Sequence, residues 1–483
     1  MSQLSQLNPA PVWIYFEEIC KIPRLSKNEA SIRRYLLDFV SEHGLESKED
    51  SAGNILIIKP ASPGHQNRRT LVLQSHMDMV GEKNSDHPHD WAKDPIIPVI
   101  DDQWVSASGT TLGADDGIGI AAQLAILTDK KLKAGKIECL FTVDEESGMT
   151  GAINLKHDFF EGRTLLNLDS EDEGILYIGC AGGMDTIGTL QFKGQAASDH
   201  GYGFEVSVTG LRGGHSGDEI HKGLGNAIKI MTRILFDLTS QFEISLSTFN
   251  GGNLRNAIPR EAFAVISVNR SLKGKVQDLI EKYQIILDNE LKETEKHLKI
   301  SLKEVKPPDF VIEKEIQSKL LGSLNCCPHG VIAWSKDMED LVETSTNLAS
   351  ISFSQKDLIK IVTTQRSSVE SSKHEIAVRV KSCLSLAGAE VVHSDGYPAW
   401  TPSLKSEILR ITKASYKNLF GKEPAVKAIH AGLECGLIFE KYKGIDMISF
   451  GPTIRGAHTP DEKIEIRTVQ MFWDLLTSVI KAF

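Results

Sequence analysis

Two histidines and a set of carboxylates recur in five short motifs of this chain. They are His76-Met77-Asp78, Gly113-Ala114-Asp115-Asp116-Gly117, Asp144-Glu145-Glu146, Asn167-Leu168-Asp169 and His458-Thr459-Pro460-Asp461-Glu462. Mixed imidazole and carboxylate ligation suits zinc, manganese or cobalt and argues against a thiolate-based structural site. Two histidines and three carboxylates as ligands, with one further carboxylate as a base, fit a pair of divalent ions activating a water for hydrolysis.

Each motif also has an ordinary explanation. His76 and Asp78 lie two apart at a strand end and so share a face. One can bind a metal while the other orients it through the remaining ring N–H, or the pair is a surface histidine beside an acid. Asp115 precedes a helix, where a carboxylate serves as a cap or, held at a turn, turns one oxygen toward each of two metals. Three consecutive acids after Leu140-Phe141-Thr142-Val143 make a solvated loop. Alternatively, one acid binds metal while its neighbour moves a proton from water to a leaving amine. In the run Asp169-Ser170-Glu171-Asp172-Glu173, only the acid nearest the strand end is a ligand candidate. What joins the five is position, because each follows a short apolar segment that reads as a buried strand.

The elements needed to hold them are legible as alternating periodicities. Val12 to Cys20 is amphipathic and Gly117 to Leu127 helical. Asn54 to Ile58, Thr70 to Gln74, Ile137 to Val143 and Thr164 to Leu168 read as strands. Such alternation predicts an α/β layer with a mostly parallel sheet, whose strand carboxyl ends gather ligands. From about Phe192 the character changes. A strand at Phe204 to Val208 precedes the Gly-rich Leu211 to Gly217, a helix from Gly225 to Leu238 and a strand from Glu261 to Val268. A long charged helix is expected from Gly274 to Leu298. Val342 to Ser354 and Leu358 to Gln365 read as a hairpin turning across Ser354-Gln355-Lys356-Asp357, followed by a helix from Ser371 to Ala387. The earlier style returns with a strand at Asp446 to Phe450 and a closing helix at Thr468 to Ala482. The expected architecture is therefore a discontinuous α/β domain, residues 1–190 and 397–483, interrupted by an α+β insert, residues 191–396.

A chain of 483 residues can support two such cores. Its net charge of −10 disfavours nucleic acid and anionic membrane as partners. No basic start with an apolar stretch marks a signal peptide, and no apolar run approaches bilayer length. Seven cysteines, with only the vicinal Cys326-Cys327 close in sequence, read as reduced thiols of a cytoplasmic protein.

Longer segments resemble the di-zinc exopeptidases of the aminoacylase and carnosinase superfamily, and within it dipeptidases that cleave Xaa-His and other unblocked dipeptides. The segments are Val72 to Val80, Gly109 to Asp115, Glu145 to Met149, Tyr177 to Gly183, Gly213-Gly214-His215-Ser216-Gly217, Leu254 to Arg260, His430-Ala431-Gly432-Leu433-Glu434-Cys435-Gly436 and Gly451-Pro452-Thr453. The resemblance implies a zinc-exopeptidase-like catalytic domain and an inserted lid and dimerisation domain. Two divalent ions are implied, zinc first and manganese or cobalt as alternatives. His76 and Asp169 would hold one ion, Glu146 and His458 the other, and Asp115 would bridge them. Glu145 would be general base and then acid, and Asp78 would orient His76. His215 would polarise the scissile carbonyl, usually across a homodimer interface. Asn256 and Arg366 would bind a small peptide substrate, including its carboxylate. A cis Asp115–Asp116 peptide is also implied. The chain departs from these relatives at Asp116, often Asn, and at Asp144, often Thr, which bears on substrate preference. An N-acyl-amino-acid deacylase or a tripeptidase on the same scaffold is the competing reading. A non-catalytic binding relative leaves Glu145 without a use, and a two-carboxylate glycosidase leaves both histidines without one.

Overall fold

Strand Leu71–His76 is buried at every residue. It lies parallel between Ile137–Thr142 and Thr164–Asn167, and Asp446–Ser449 continues the parallel set beyond the latter. Strands covered on both faces read as continuous apolar runs, which is how these four read in the sequence. Because they run parallel, their carboxyl ends emerge along one edge. Antiparallel strands flank this centre, with Glu46–Glu49 and Ile55–Lys59 on one side and Ile175–Cys180 on the other. Helix Ala114–Thr128 is buried all round from Gly117 to Leu127 and packs against Ala10–Ile19. Burying one such leucine or isoleucine side chain contributes about 1.5–3 kcal/mol. A small sheet of Pro98–Asp101, Trp104–Ala107, Ile454–Arg455 and Lys463–Glu465 was not expected, because strands of two to four residues carry no readable alternation.

The computed structural model describes residues 4–197, 201–354 and 357–483. The chain forms two compact units. One comprises Met1–Cys180, Trp400–Ala428 and Leu433–Phe483, the other Ala181–Ala399 and Ile429–Gly432. The second begins earlier than the composition change at Phe192, because strand Gly182–Gln191 pairs along its length with Leu358–Ser367. The sheet of the second unit has two halves. In one, Lys299–Val305, Gly201–Thr209, Ala262–Asn269 and Ile244–Gly251 are adjacent. In the other, Val342–Ser354, Leu358–Ser367, Gly182–Gln191 and Glu390–His393 follow in order. The halves meet at the Gly251–Ile351 pair. Val206, Ile234, Phe249, Ile266 and Ile361 share the core formed with the overlying helices. Helix Ala227–Gln241 is capped by Asn226, whose side chain accepts from the N–H groups of Ile228 and Lys229.

The expected helix from Gly274 to Leu298 spans Lys273–Glu290 only. Beyond it, Glu295 turns inward and accepts from the Arg212 and Gly225 N–H groups, both at 2.7 Å, a tertiary pairing that a continuing helix would forbid. The expected hairpin strands are present, but Gln355 and Lys356 of their turn lie outside the described residues.

Candidate metal centre

The carboxyl edge of the parallel strands collects the motif residues of the first unit. His76 ends its strand, Glu145 and Glu146 follow Ile137–Thr142, Asp169 follows Thr164–Asn167, and His458 lies on the excursion after Asp446–Ser449. Asp115 arrives differently, at the start of helix Ala114–Thr128. His76 Nε2 lies 3.0 Å from Asp115 Oδ1 and 3.2 Å from Asp169 Oδ1. His458 Nε2 lies 3.2 Å from Asp115 Oδ2 and 3.0 Å from Glu146 Oε2. Asp115 thus presents one oxygen to each imidazole, and each Nε2 faces one further carboxylate. The Asp115–Asp116 peptide is cis.

Asp115 is free for this because another residue does the capping. Glu462, 2% exposed, accepts from the N–H groups of Leu112, Gly113, Ala114 and Asp115 at 2.8 to 3.3 Å. These are donors that a helix start leaves unpaired. Gly113 has φ 68°, a left-handed conformation that favours glycine, and an added Cβ would lie 2.7 Å from Arg24 Nη2. Asp78 is fully buried and accepts from the N–H groups of Glu145 at 3.0 Å and Glu146 at 3.2 Å, and from the Ser26 hydroxyl at 2.8 Å. Its Oδ1 sits 3.4 Å from His76 Nδ1, an ion-pair separation wider than a closed hydrogen bond. Asp78 therefore ties the histidine to the Glu145-Glu146 turn.

Beneath this layer is a second, one strand step back. Gln74 and Asn167 precede His76 and Asp169 by two residues and so point the same way. Asn167 Nδ2 donates to Gln74 Oε1 at 2.6 Å. Gln74 Nε2 and the Thr142 hydroxyl both donate to Glu434 Oε2 at 2.7 Å. This underlayer went unread in the sequence. Its signal was an amide in each of two otherwise apolar strands, two positions before a proposed ligand.

Charge at the site is unbalanced. Among the described residues, the ion-pair partners of Asp115, Glu146 and Asp169 are the two imidazoles alone. Hydrogen bonds with Asp115 and Glu146 push His458 up to about 11. Burial would lower His76, but Asp169, Asp115 and Asp78 together raise it well above its ordinary value. Burial pushes Asp169 up to about 7 against the pull of His76. Burial also raises Glu145 well above the carboxylate range, reinforced by Asp169, Glu434 and Glu146. Glu146 Oε1 is buried without a hydrogen-bond partner among the described residues. Among the described residues, three metal-ligand groupings draw on this edge, His76 with Glu145 and Glu146, Asp115 with Glu146 and His458, and His76 with Asp116 and Asp169, while a fourth joins Glu29, Asp78 and Asp144. An oxygen-rich, doubly histidyl donor set with an orphaned buried carboxylate oxygen fits divalent ions.

The remaining candidates belong to the second unit. His215 pairs with Ala257 in a short two-stranded ladder, and its Nδ1 faces the Asp218 N–H at 3.2 Å and carboxylate at 3.3 Å. Arg366 and Asn256 line one cavity of about 150 Å³. Arg366 is 6% exposed and donates from Nη1 to the Tyr397 hydroxyl at 2.7 Å, while its Nε has no hydrogen-bond partner among the described residues.

Comparison with known proteins accords with this edge of side chains. The model of "Peptidase family M20/M25/M40" matches residues 72–482. The chain belongs to that family. It is a hydrolase of peptide bonds, and its relatives sharpen the class. It is 43% identical over 481 residues to the cytosol non-specific dipeptidase of Escherichia coli K12, covering 100% of this chain and 99% of the relative. The crystal structure of aminoacylhistidine dipeptidase from Vibrio alginolyticus superposes with a TM-score of 0.93 at 42% identity, covering 100% of this chain and 98% of the other. A tripeptidase from Staphylococcus aureus, at 17% identity and a TM-score of 0.57 over 98% of each chain, shares the fold alone.

Proposed function

We propose that this chain is a metallo-dipeptidase that cleaves Xaa-His dipeptides such as β-Ala-His, and unblocked dipeptides more broadly. The observation that carries the reading is Asp115, with one oxygen on His76 and the other on His458, each imidazole shared with a second carboxylate. His76 and Asp169 would hold one divalent ion, Glu146 and His458 the other, with Asp115 between them. Zinc is the first choice, manganese or cobalt the alternatives. Such ions, when bound, lower the pKa of a water and polarise a peptide carbonyl.

Every other task falls to side chains. Glu145, next to the proposed ligand Glu146, accepts a proton from the attacking water and passes it to the leaving amine. Asp78 fixes the ring of His76 and the turn that carries Glu145. His215 donates to the developing oxyanion, in a homodimer built through the second unit, which also acts as a lid. Arg366 and Asn256 take the substrate carboxylate. The name of the Escherichia coli relative supports a cytoplasmic location.

The test is a substrate panel on protein loaded with zinc, manganese or cobalt, comprising β-Ala-His, Leu-Leu, a tripeptide and an N-acetyl amino acid. The dipeptides are expected to turn over fastest. Hydrolysis of neither dipeptide with any metal overturns the proposal, and a faster N-acetyl substrate or tripeptide replaces it with a deacylase or tripeptidase. Sedimentation of the loaded protein tests the dimer.

A further inference from the structure

Arg366 does not stand alone in its cavity. On the paired strands Leu358–Ser367 and Gly182–Gln191, Arg366 lies opposite Gly183 and Thr364 opposite Asp185. Residues two apart share a face, so Arg366 and Asp185 face the same cavity, one two-residue step apart, about 6.7 Å along the strands. Asp185 Oδ1 accepts from the Thr364 hydroxyl at 2.8 Å, and Oδ2 accepts from Arg255 Nη1 at 3.0 Å. The Asp185 N–H donates to the Ser394 hydroxyl at 3.0 Å, which fixes the backbone beneath the carboxylate. Asp185 is 14% exposed, whereas the Arg255 side chain on it is 74% exposed. Such a surface pairing is worth little and exchanges readily for a ligand. Gly183 keeps the floor open, since a Cβ there would lie 2.5 Å from the Tyr397 ring and hydroxyl that serve Arg366.

The cavity therefore offers a cation for a carboxylate and, one step away, an anion for a hydrogen-bond donor. A C-terminal histidine carries a carboxylate and a ring N–H on one residue, so the first can meet Arg366 and the second Asp185. We propose that Asp185 is a specificity-determining residue that receives the side-chain N–H of the dipeptide's C-terminal residue, and so selects imidazole over an apolar group of similar size. This rests on the dipeptidase reading and on Arg366 holding the carboxylate.

The experiment compares kcat/KM for Leu-His and Leu-Phe in the metal-loaded wild type, Asp185→Asn and Arg255→Ala. Asp185→Asn is expected to lower the His-to-Phe ratio about tenfold, the factor for one hydrogen bond to a charged group. Arg255→Ala, which bares the carboxylate, is expected to hold or raise it. Calorimetry with free L-histidine and L-phenylalanine gives a second reading on the same proteins, because each amino acid carries both the carboxylate and the side chain. An unchanged ratio in Asp185→Asn, or an unchanged preference for free histidine where that variant is inactive, overturns the assignment. A wild type that cleaves no dipeptide overturns the functional reading instead, and the calorimetric preference still decides the role of Asp185.

Discussion

In the first unit, three carboxylates crowd around two imidazoles, and one buried oxygen of Glu146 has no hydrogen-bond partner among the described residues. In the second unit, the Arg366 guanidinium lies buried, its Nε likewise without a partner among them. Both regions hold charge that a finished interior would neutralise, with opposite signs. An uncompensated buried charge costs several kcal/mol, so the proposed ligands have opposite signs, cations at the strand edge and a carboxylate in the cavity. The two also differ in construction. The strand edge gathers residues from strand ends and a helix start, whereas the cavity is floored by two neighbouring antiparallel strands in register and walled by the segments of Arg255–Asn256 and Ser394–Tyr397.

The largest test of this contrast is Glu145→Gln. It should retain metal, measured by elemental analysis, while turnover falls about 10³-fold, within the range for loss of a general base. Unchanged turnover would remove Glu145 from its role. Arg366→Ala should leave metal content intact and raise KM about 10²-fold, because the site loses its only proposed charge for the substrate carboxylate. A loss of metal instead would show that the two regions are not separable.

Glu462→Ala strikes the scaffold of the first region alone. Leaving the Leu112 to Asp115 N–H groups unpaired should cost about 2–3 kcal/mol in urea unfolding and weaken metal binding, with selectivity among dipeptides unchanged.

The last test is confined to acid and concerns His430, buried beside Arg366 with its Nε2 2.7 Å from the Ser345 hydroxyl. Burial, then Arg366, lowers it from 6.5 to about 3. Above pH 6.5 neither folded nor unfolded chain protonates it. Below that, the unfolded chain takes the proton first, so stability falls by about 1.4 kcal/mol per pH unit down to about pH 3. His430→Gln should flatten that limb of the stability profile by this slope.

The strand edge was largely legible in the sequence, whereas of the cavity only Asn256 and Arg366 were named, and those through resemblance alone. Buried parallel strands announce themselves as apolar runs, and a histidine or acid directly after one stands out, as His76, Glu145 and Asp169 do. Glu462 was visible in its motif but had no role, because its four partners lie some 350 positions away in the chain. Asp185 carried no signal at all. Its meaning comes from a register that sets residue 185 against residue 364, and register is decided by tertiary packing. The helix beyond Glu290 failed for a related reason, since the pattern continued while Glu295 had partners elsewhere.

The segment from His458 to Glu462 delivers a proposed ligand with one residue and clamps the Asp115 loop with another. It lies after the whole second unit in the chain, while His76, Asp115, Glu146 and Asp169 all precede that unit. During synthesis the ribosome therefore exposes most of the acidic pocket long before the piece that closes it. A chain that has not yet made this segment lacks both His458 and the clamp on the Asp115 loop, so any ion it met would find an incomplete set of donors.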